Sequence, residues 1–259
     1  MAMSDLPRQL TRLLLVVALL MVAGLTGPGE AHASTFRVNP TQIVLSARSG
    51  SALVTLTNDS DRPLRFQLSA FRWDQSADGE MILEPTDDVL FFPKLLTLAP
   101  KEARRIRVAL KDVFGTTETT YRLFVEELPS GAGETAAAGV SVRMRMGIPI
   151  FAQPPALSGK AALESLRLQH GAVTFDMKNT GNVHFIVQTY VVRALDRDGG
   201  TLYEEEWSGW YVLAGSTRRY RLEVPPDILD DISVITAEAR IGSSTLKDRL
   251  EVRASRDEP

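Results

Sequence analysis

The side chains that could do chemistry in this chain are few, and most of the usual reactions fall away on inspection. There is no cysteine, which removes thiolate nucleophiles and thiolate metal sites. His32 precedes the expected start of the mature chain. The remaining His170 and His184 lack the close helical spacing of a two-histidine metal site and the third member of a three-histidine one. No Gly-x-Ser-x-Gly elbow exposes a serine, and neither glycine pattern for phosphate is present. The acid pairs Asp87-Asp88, Glu126-Glu127 and Asp230-Asp231 are sequence neighbours, so they split across a strand or sit in a loop, and nothing in their spacing sets two carboxylates on one glycosidic bond. Asn58-Asp-Ser60 matches a glycosylation acceptor by chance. Trp73, Trp207 and Trp210 read as core anchors rather than as sugar-stacking platforms. No catalytic residue, metal site or cofactor is expected. The chemistry that remains is recognition: backbone edges, apolar rows and arginines.

One segment stands out for recognition. Val140-Ser-Val-Arg-Met-Arg-Met-Gly-Ile-Pro-Ile-Phe151 carries an apolar side chain at every even position, with Ser141, Arg143 and Arg145 between them. A period of two sends the apolar row to one face, and about a dozen residues is well beyond the usual five or six of a strand. Two readings fit this pattern: a strand packed on its own core, or a template that lends its edge and side chains to another protein. Arg143 and Arg145 on the opposite face either guard the edge against self-pairing or help a partner dock.

The elements that must position this segment follow from the rest of the chain. Arg8 and Arg12, the apolar run from Leu13 to Ala23 and Ala31-His-Ala33 form a secretory signal, with cleavage expected after Ala33. No later run has the length of a membrane span. A net charge of −3 points to neither nucleic acid nor an anionic membrane. Without disulfides an exported fold must stand on apolar packing. Strands are expected at 41–46, 52–57, 64–73, 104–110, 121–127 and 140–151, with a hairpin at Asp78-Gly79 and a flexible loop from Pro129 to Gly139. Gln153-Pro-Pro-Ala-Leu-Ser-Gly159 reads as a linker. Strands over 163–168, 173–178, 184–193, 202–206, 217–224, 233–241 and 246–252 then make a second set, with turns at Asn179-Thr-Gly-Asn182 and Asp196–Gly200. The expectation is an all-β chain of two immunoglobulin-like β-sandwich domains at an angle, with a cleft between them. Residues 1–33 are the signal peptide, 34–153 the first domain with the template strand, and 154–259 the second.

Several stretches in this order resemble one family. Val38-Asn-Pro-Thr-Gln-Ile-Val-Leu45, Leu53 to Asn58, Leu98-Ala-Pro-Lys-Glu-Ala-Arg-Arg-Ile-Arg-Val108, Tyr121-Arg-Leu-Phe-Val-Glu-Glu-Leu-Pro129, the strand from Val140 to Pro155 and Asn179-Thr-Gly-Asn-Val-His184 are similar to the periplasmic pilus-assembly chaperones of the chaperone/usher pathway. Gly147-Ile-Pro-Ile-Phe151 and the absence of cysteine resemble the archaic branch, associated with spore-coat-U-type fimbriae. The resemblance implies a periplasmic chaperone that binds pilus subunits by donor-strand complementation and delivers them to an outer-membrane usher. It implies no enzymatic activity, no nucleic acid and no stable membrane insertion. Val140, Val142, Met144 and Met146 would enter the subunit's groove. A second reading, an exported two-domain β-sandwich with a structural or carbohydrate-binding role, fits the composition without the resemblance.

The resemblance also poses a problem. Better-known members hold the client's C-terminal carboxylate with an Arg in the first strand and a Lys in the seventh, and the matching positions here are Gln42 and Pro149. Neither carries charge. Arg122 is the expected replacement, because Leu123 and Val125 alternate with it toward the core and leave Arg122 and Phe124 on the other face. Lys101, Arg105 and Arg37 are the other candidates. Arg107 and Glu127 match family positions that bridge the two domains with an acid, here Asp227.

Overall fold

The computed structural model describes residues 35–111, 114–129 and 142–252. The expected signal peptide with its cleavage site, Val140, nearly all of the 129–139 loop and the tail from Ala254 lie outside these described residues.

Ten strands build the first domain. They are β1 (Phe36–Asn39), β2 (Ile43–Leu45), β3 (Ser51–Asn58), β4 (Leu64–Gln75), β5 (Met81–Pro85), β6 (Val89–Phe92), β7 (Leu95–Leu98), β8 (Ala103–Leu110), β9 (Thr119–Glu127) and β10 (Arg145–Ala152). One sheet runs β1-β3-β8-β6 and the other β2-β10-β9-β4-β5, with β7 also paired to β4. Alternation decides which side chains go inward: Val54, Leu56, Ile106 and Val108 from one sheet meet Phe66, Tyr121, Leu123 and Ile148 from the other, all buried. Phe36 and Phe66 meet edge to face at 5.0 Å. The Asp78-Gly79 turn joins β4 to β5, and Gly79 adopts the positive φ of 83° that glycine accepts without strain.

Nine strands form the second domain: β11 (Ala161–Gln169), β12 (Ala172–Asn179), β13 (Phe185–Ile186), β14 (Thr189–Leu195), β15 (Thr201–Ser208), β16 (Tyr211–Val212), β17 (Thr217–Glu223), β18 (Val234–Ile241) and β19 (Ser244–Glu251). Sheets β11-β12-β17 and β15-β14-β18-β19 enclose an apolar core, and β13 pairs with β16 beside them. Its centre is aromatic, with Phe175 stacked on Tyr220 at 5.1 Å and Tyr190 stacked on Trp207 at 5.5 Å. The Tyr190 hydroxyl donates to that of Tyr220 over 2.8 Å, which satisfies a polar tip that would otherwise be buried alone.

Several elements depart from the sequence expectation. Val89 to Leu98 forms two strands, β6 and β7, where none was expected. The 184–193 segment is two strands, broken at Val187 and Gln188, whose N–H groups bond to Trp210 and Arg240 instead of continuing one ladder. The long 140–151 strand begins only at Arg145, because its neighbour β9 ends at Glu127, whose N–H bonds to the Met144 carbonyl over 3.0 Å. Beyond that bond, Val142 and Arg143 have no described strand beside them to complete a ladder.

A matched pair of buried asparagines pins each domain. Asn58, at the end of β3, donates from Nδ2 to the carbonyls of Arg62, Leu98 and Ala99 and accepts from the N–H and hydroxyl of Ser60. Asn179, at the end of β12, donates to the carbonyls of Val183 and Val212 and accepts from Gly181 N–H. Each amide closes the turn that follows its own strand and ties it to a second segment. The Asn58 amide is therefore fully engaged and sealed from solvent, which rules out glycan attachment there in the folded chain. Replacing Asn58 or Asn179 with Ala strands several buried carbonyls and lowers stability by about 2–4 kcal/mol, read as a shift of the urea unfolding midpoint.

Candidate functional site

The site begins with a backbone edge. Strand β10 pairs with β9 along its whole length, Arg145 to Ala152, but with β2 only over Ile150–Ala152. Its even residues turn their carbonyls toward β9, as Met144 does toward Glu127, and its odd residues face the β2 side, as in the 2.8 Å bond from Gln153 N–H to the Leu45 carbonyl. The N–H and C=O groups of Arg145 and Gly147 therefore stand on a border that no described strand occupies. Pro149, which has no N–H to give, marks where this open stretch meets β2. Just upstream, Val142 is 60% exposed and Met144 38% exposed.

Across the sheet from Pro149 lies Arg122. It projects from β9 on the face opposite Leu123 and Val125, beside Phe71 of β4, and is only 7% exposed. Its guanidinium stacks on the Trp73 ring at 4.1 Å and lies 5.9 Å from the ring of Trp210, which the second domain contributes. Nε and Nη2 are buried and meet no hydrogen-bond acceptor. Burial lowers its pKa from the ordinary guanidinium value; the nearby Tyr211 phenol acts in the opposite direction, and no carboxylate among the described residues pairs with it. A fully buried arginine without an acid is costly. Gly147 makes room for it, since a Cβ there would come within 3.3 Å of Nη1 and 2.9 Å of Phe124. Farther along the same face, Phe124 meets Phe71 edge to face at 5.8 Å and carries the Arg145 guanidinium over its ring at 3.9 Å.

The junction of the two domains holds this face in place. Trp73, Phe151 and Leu213 form an apolar cluster of their own, flanked by Leu83 and Tyr211. His184 stacks on Phe151 at 3.6 Å between ring centroids, with Nδ1 2.6 Å from Oε1 of Glu118, which also accepts from the His184 backbone N–H. Asn182 is the polar hub: its Nδ2 donates to the carbonyls of Thr116 and Ala156, its Oδ1 accepts from Ser158 N–H and its own carbonyl accepts from Glu118 N–H. Gln75 donates to the Tyr211 carbonyl and accepts from Leu213 N–H, while the Tyr211 hydroxyl donates to Gln42.

Comparison with known proteins fits this arrangement. Residues 35–158 match the model of the pili and flagellar-assembly chaperone family, PapD N-terminal domain. This stretch, the first domain, is similar to the PapD-like pilus-assembly chaperones. Solved structures agree in fold. A chain from the pre-assembly complex of the CsuC chaperone with the CsuE tip adhesion subunit, from archaic Csu pili of Acinetobacter baumannii, is 22% identical with a TM-score of 0.56, covering 83% of this chain and 97% of that one. The Escherichia coli chaperone DraB is 17% identical, with a TM-score of 0.52 and coverage of 85% and 98%. The Salmonella enterica SafA pilin–SafB chaperone complex gives 14%, 0.54, 85% and 98%. A search of curated protein sequences gives no match. No helix among the described residues of this chain is long and apolar enough to cross a membrane.

The structure sorts the residues singled out from sequence. Of the apolar row, Val140 lies outside the described residues, Val142 and Met144 are exposed, and Met146 packs partly against its own domain's core, as Ile148 and Ile150 do completely. Among the cations, Arg37 is held by Asp59 at 2.5 Å, and Lys101 bonds to Asp61 at 2.9 Å and to the Asp59 carbonyl. Arg105 is exposed on β8, in the other sheet from β9. Arg122 alone of the four is buried. Of the residues expected to bridge the domains, Glu127 is buried with Arg62 of its own domain at 3.8 Å, Arg107 reaches Ser51 at 3.4 Å, and Asp227 is exposed on the 3-10 turn Pro226–Asp231. Glu118, His184 and Asn182 bond across the junction, and Trp210, read from sequence as a core anchor, is 48% exposed at the cleft. Glu118→Ala leaves the His184 N–H and ring without their acceptor; it should lower stability by about 1–3 kcal/mol and widen the distribution of domain angles seen by small-angle X-ray scattering.

Proposed function

We propose that this chain is a periplasmic chaperone that completes an unfinished pilus subunit with its own strand and passes it to an outer-membrane usher. The observation that carries the reading is the unequal pairing of β10, full on one side and three residues long on the other, next to a buried arginine with no acid. A client strand added to the open border bonds to Arg145 and Gly147, while Val142 and Met144, with Val140 before them, reach into its apolar groove. Each apolar side chain buried in this way contributes roughly 1.5–3 kcal/mol, and the thioether of Met144 adapts to grooves of different shape.

Arg122 is the anchor for the client's terminal carboxylate. It stands across from Pro149, the position that holds a lysine in better-known members, so the cation has moved one strand over while serving the same end of the template. A carboxylate arriving there meets the guanidinium beside Gly147 and supplies the missing acid. For that to happen the client strand runs parallel to β10, toward β2, with its last residue near Pro149. The first domain, 34–153, then bears the template and the anchor, and the second, 154–259, walls the cleft.

Two measurements test this reading. Val142→Asp and Met144→Asp abolish the one-to-one complex recovered by co-expression with a fimbrial subunit, while the unfolding free energy of the free chaperone stays within about 0.5 kcal/mol of wild type, as expected for exposed positions. Arg122→Ala reduces subunit retention by at least tenfold without loss of fold, the size expected for a charge-assisted bond of about 1.5–3 kcal/mol. Retention unchanged in all three variants would exclude the mechanism.

A further inference from the structure

The buried hydrogen-bond donors of this molecule are unevenly satisfied. Six buried side-chain polar atoms among the described residues have no partner, and five of them are N–H donors: Trp73 Nε1, Arg122 Nε and Nη2, and Arg218 Nε and Nη1. The three residues that carry them all stand at the domain junction. Trp73 and Trp210 flank Arg122, and the same two indoles line a groove of about 480 Å³ between the domains, together with Gln75, Met81, Arg218 and one carboxylate, Glu80, which is not bonded to the Arg218 Nε or Nη1. Arg218 comes from β17 and lies over the Tyr220 ring at 5.3 Å. It packs so closely on the β4–β5 turn that a Cβ on Gly79 would come within 2.2 Å of its Nη2. Buried donors are almost always paired in folded proteins, so a cluster of unpaired ones calls for an acceptor that arrives from outside.

We propose that this groove is a second recognition subsite, which reads the side chain of the client's last residue while Arg122 holds its carboxylate. The inference rests on the anchor reading above. A terminal carboxylate on Arg122 sets the adjoining side chain against Trp73 and Trp210, at the mouth of the groove. The indoles and Met81 favour an apolar stem, and Arg218 with Trp73 Nε1 requires an oxygen acceptor at its tip. The chemical class is therefore a carboxylate- or amide-tipped residue, glutamate or glutamine in the simplest case. An aliphatic end leaves the donors buried and unpaired, and a lysine or arginine end adds repulsion from Arg218. In this reading the groove belongs to neither domain alone, and the domain junction becomes part of client selection.

The test uses short synthetic peptides of alternating Val and Thr, with a free C-terminal carboxylate and a last residue of Gln, Glu, Leu or Lys, plus a C-terminally amidated Gln peptide. They are titrated into the isotope-labelled full mature chain, with binding followed by calorimetry and by the indole N–H resonance of Trp73, assigned through Trp73→Phe. We expect the Gln and Glu peptides to bind about tenfold more tightly than the Leu and Lys peptides and to shift the Trp73 resonance. Arg218→Met should erase that preference while the discrimination between carboxylate and amide stays. Arg218→Lys, which keeps the charge without the fork, should retain only part of the preference. Equal binding of all four last residues, with carboxylate still preferred over amide, overturns the groove inference and leaves the anchor standing. Equal binding of carboxylate and amide overturns the anchor, and no binding of any peptide overturns both.

Discussion

A β-strand that is bonded on both sides is finished, and one that is bonded on one side is an invitation. Strand β10 is both at once: its last three residues are closed by β2, and the stretch before them is not. Everything else in the first domain keeps this asymmetry stable. The sandwich core seals Ile148, Ile150 and Ala152, so the closed end cannot peel away. β9 pairs with every residue of β10, so the open stretch remains extended without a second neighbour. An exposed edge with apolar side chains is normally an aggregation hazard, and here the exposed apolar positions next to it, Val142 and Met144, stand on either side of the charged Arg143.

The second domain is more than a companion. It supplies Trp210 over Arg122, Tyr211 and Leu213 against Trp73 and Phe151, and His184 against Glu118. Without those contacts the Trp73–Arg122 stack would face water, and the guanidinium would gain the hydration that its burial denies it. The aromatic rings make that burial tolerable by offering π-faces in place of a carboxylate. The junction thus fixes the electrostatic state of a residue on the first domain.

Much of the fold was legible in the residues because period-two alternation is a strong signal when one face of each strand is buried. It marked β3, β4, β8, β9 and most of the second domain to within a few residues. It failed at Val89–Leu98, where Val-Leu-Phe-Phe-Pro-Lys-Leu-Leu is apolar without alternation and is broken by a proline, so no period emerges. It overran at Val142–Met144, where the pattern continues after the hydrogen-bonding neighbour has ended, since side-chain periodicity carries no information about the presence of a partner strand. The face of Arg122 followed from its alternation with Leu123 and Val125, but its burial did not, because one of the two indoles flanking it is supplied from the other domain. The Glu118–His184 contact, made across 66 residues, left no local trace. The pairing of Glu127 with Arg62 was equally out of reach, because position in a motif does not fix which groups a charge will meet.

Pro149 has one more consequence under the proposed mode of binding. An added strand can extend from Met144 toward Gly147, but at Pro149 it finds no donor and then meets β2 already in place. The border is thus a ruler with one fixed end: the guest's terminus is set against the stop, and every residue behind it is counted off from there, so a tail one residue too long would present all its side chains to the wrong face.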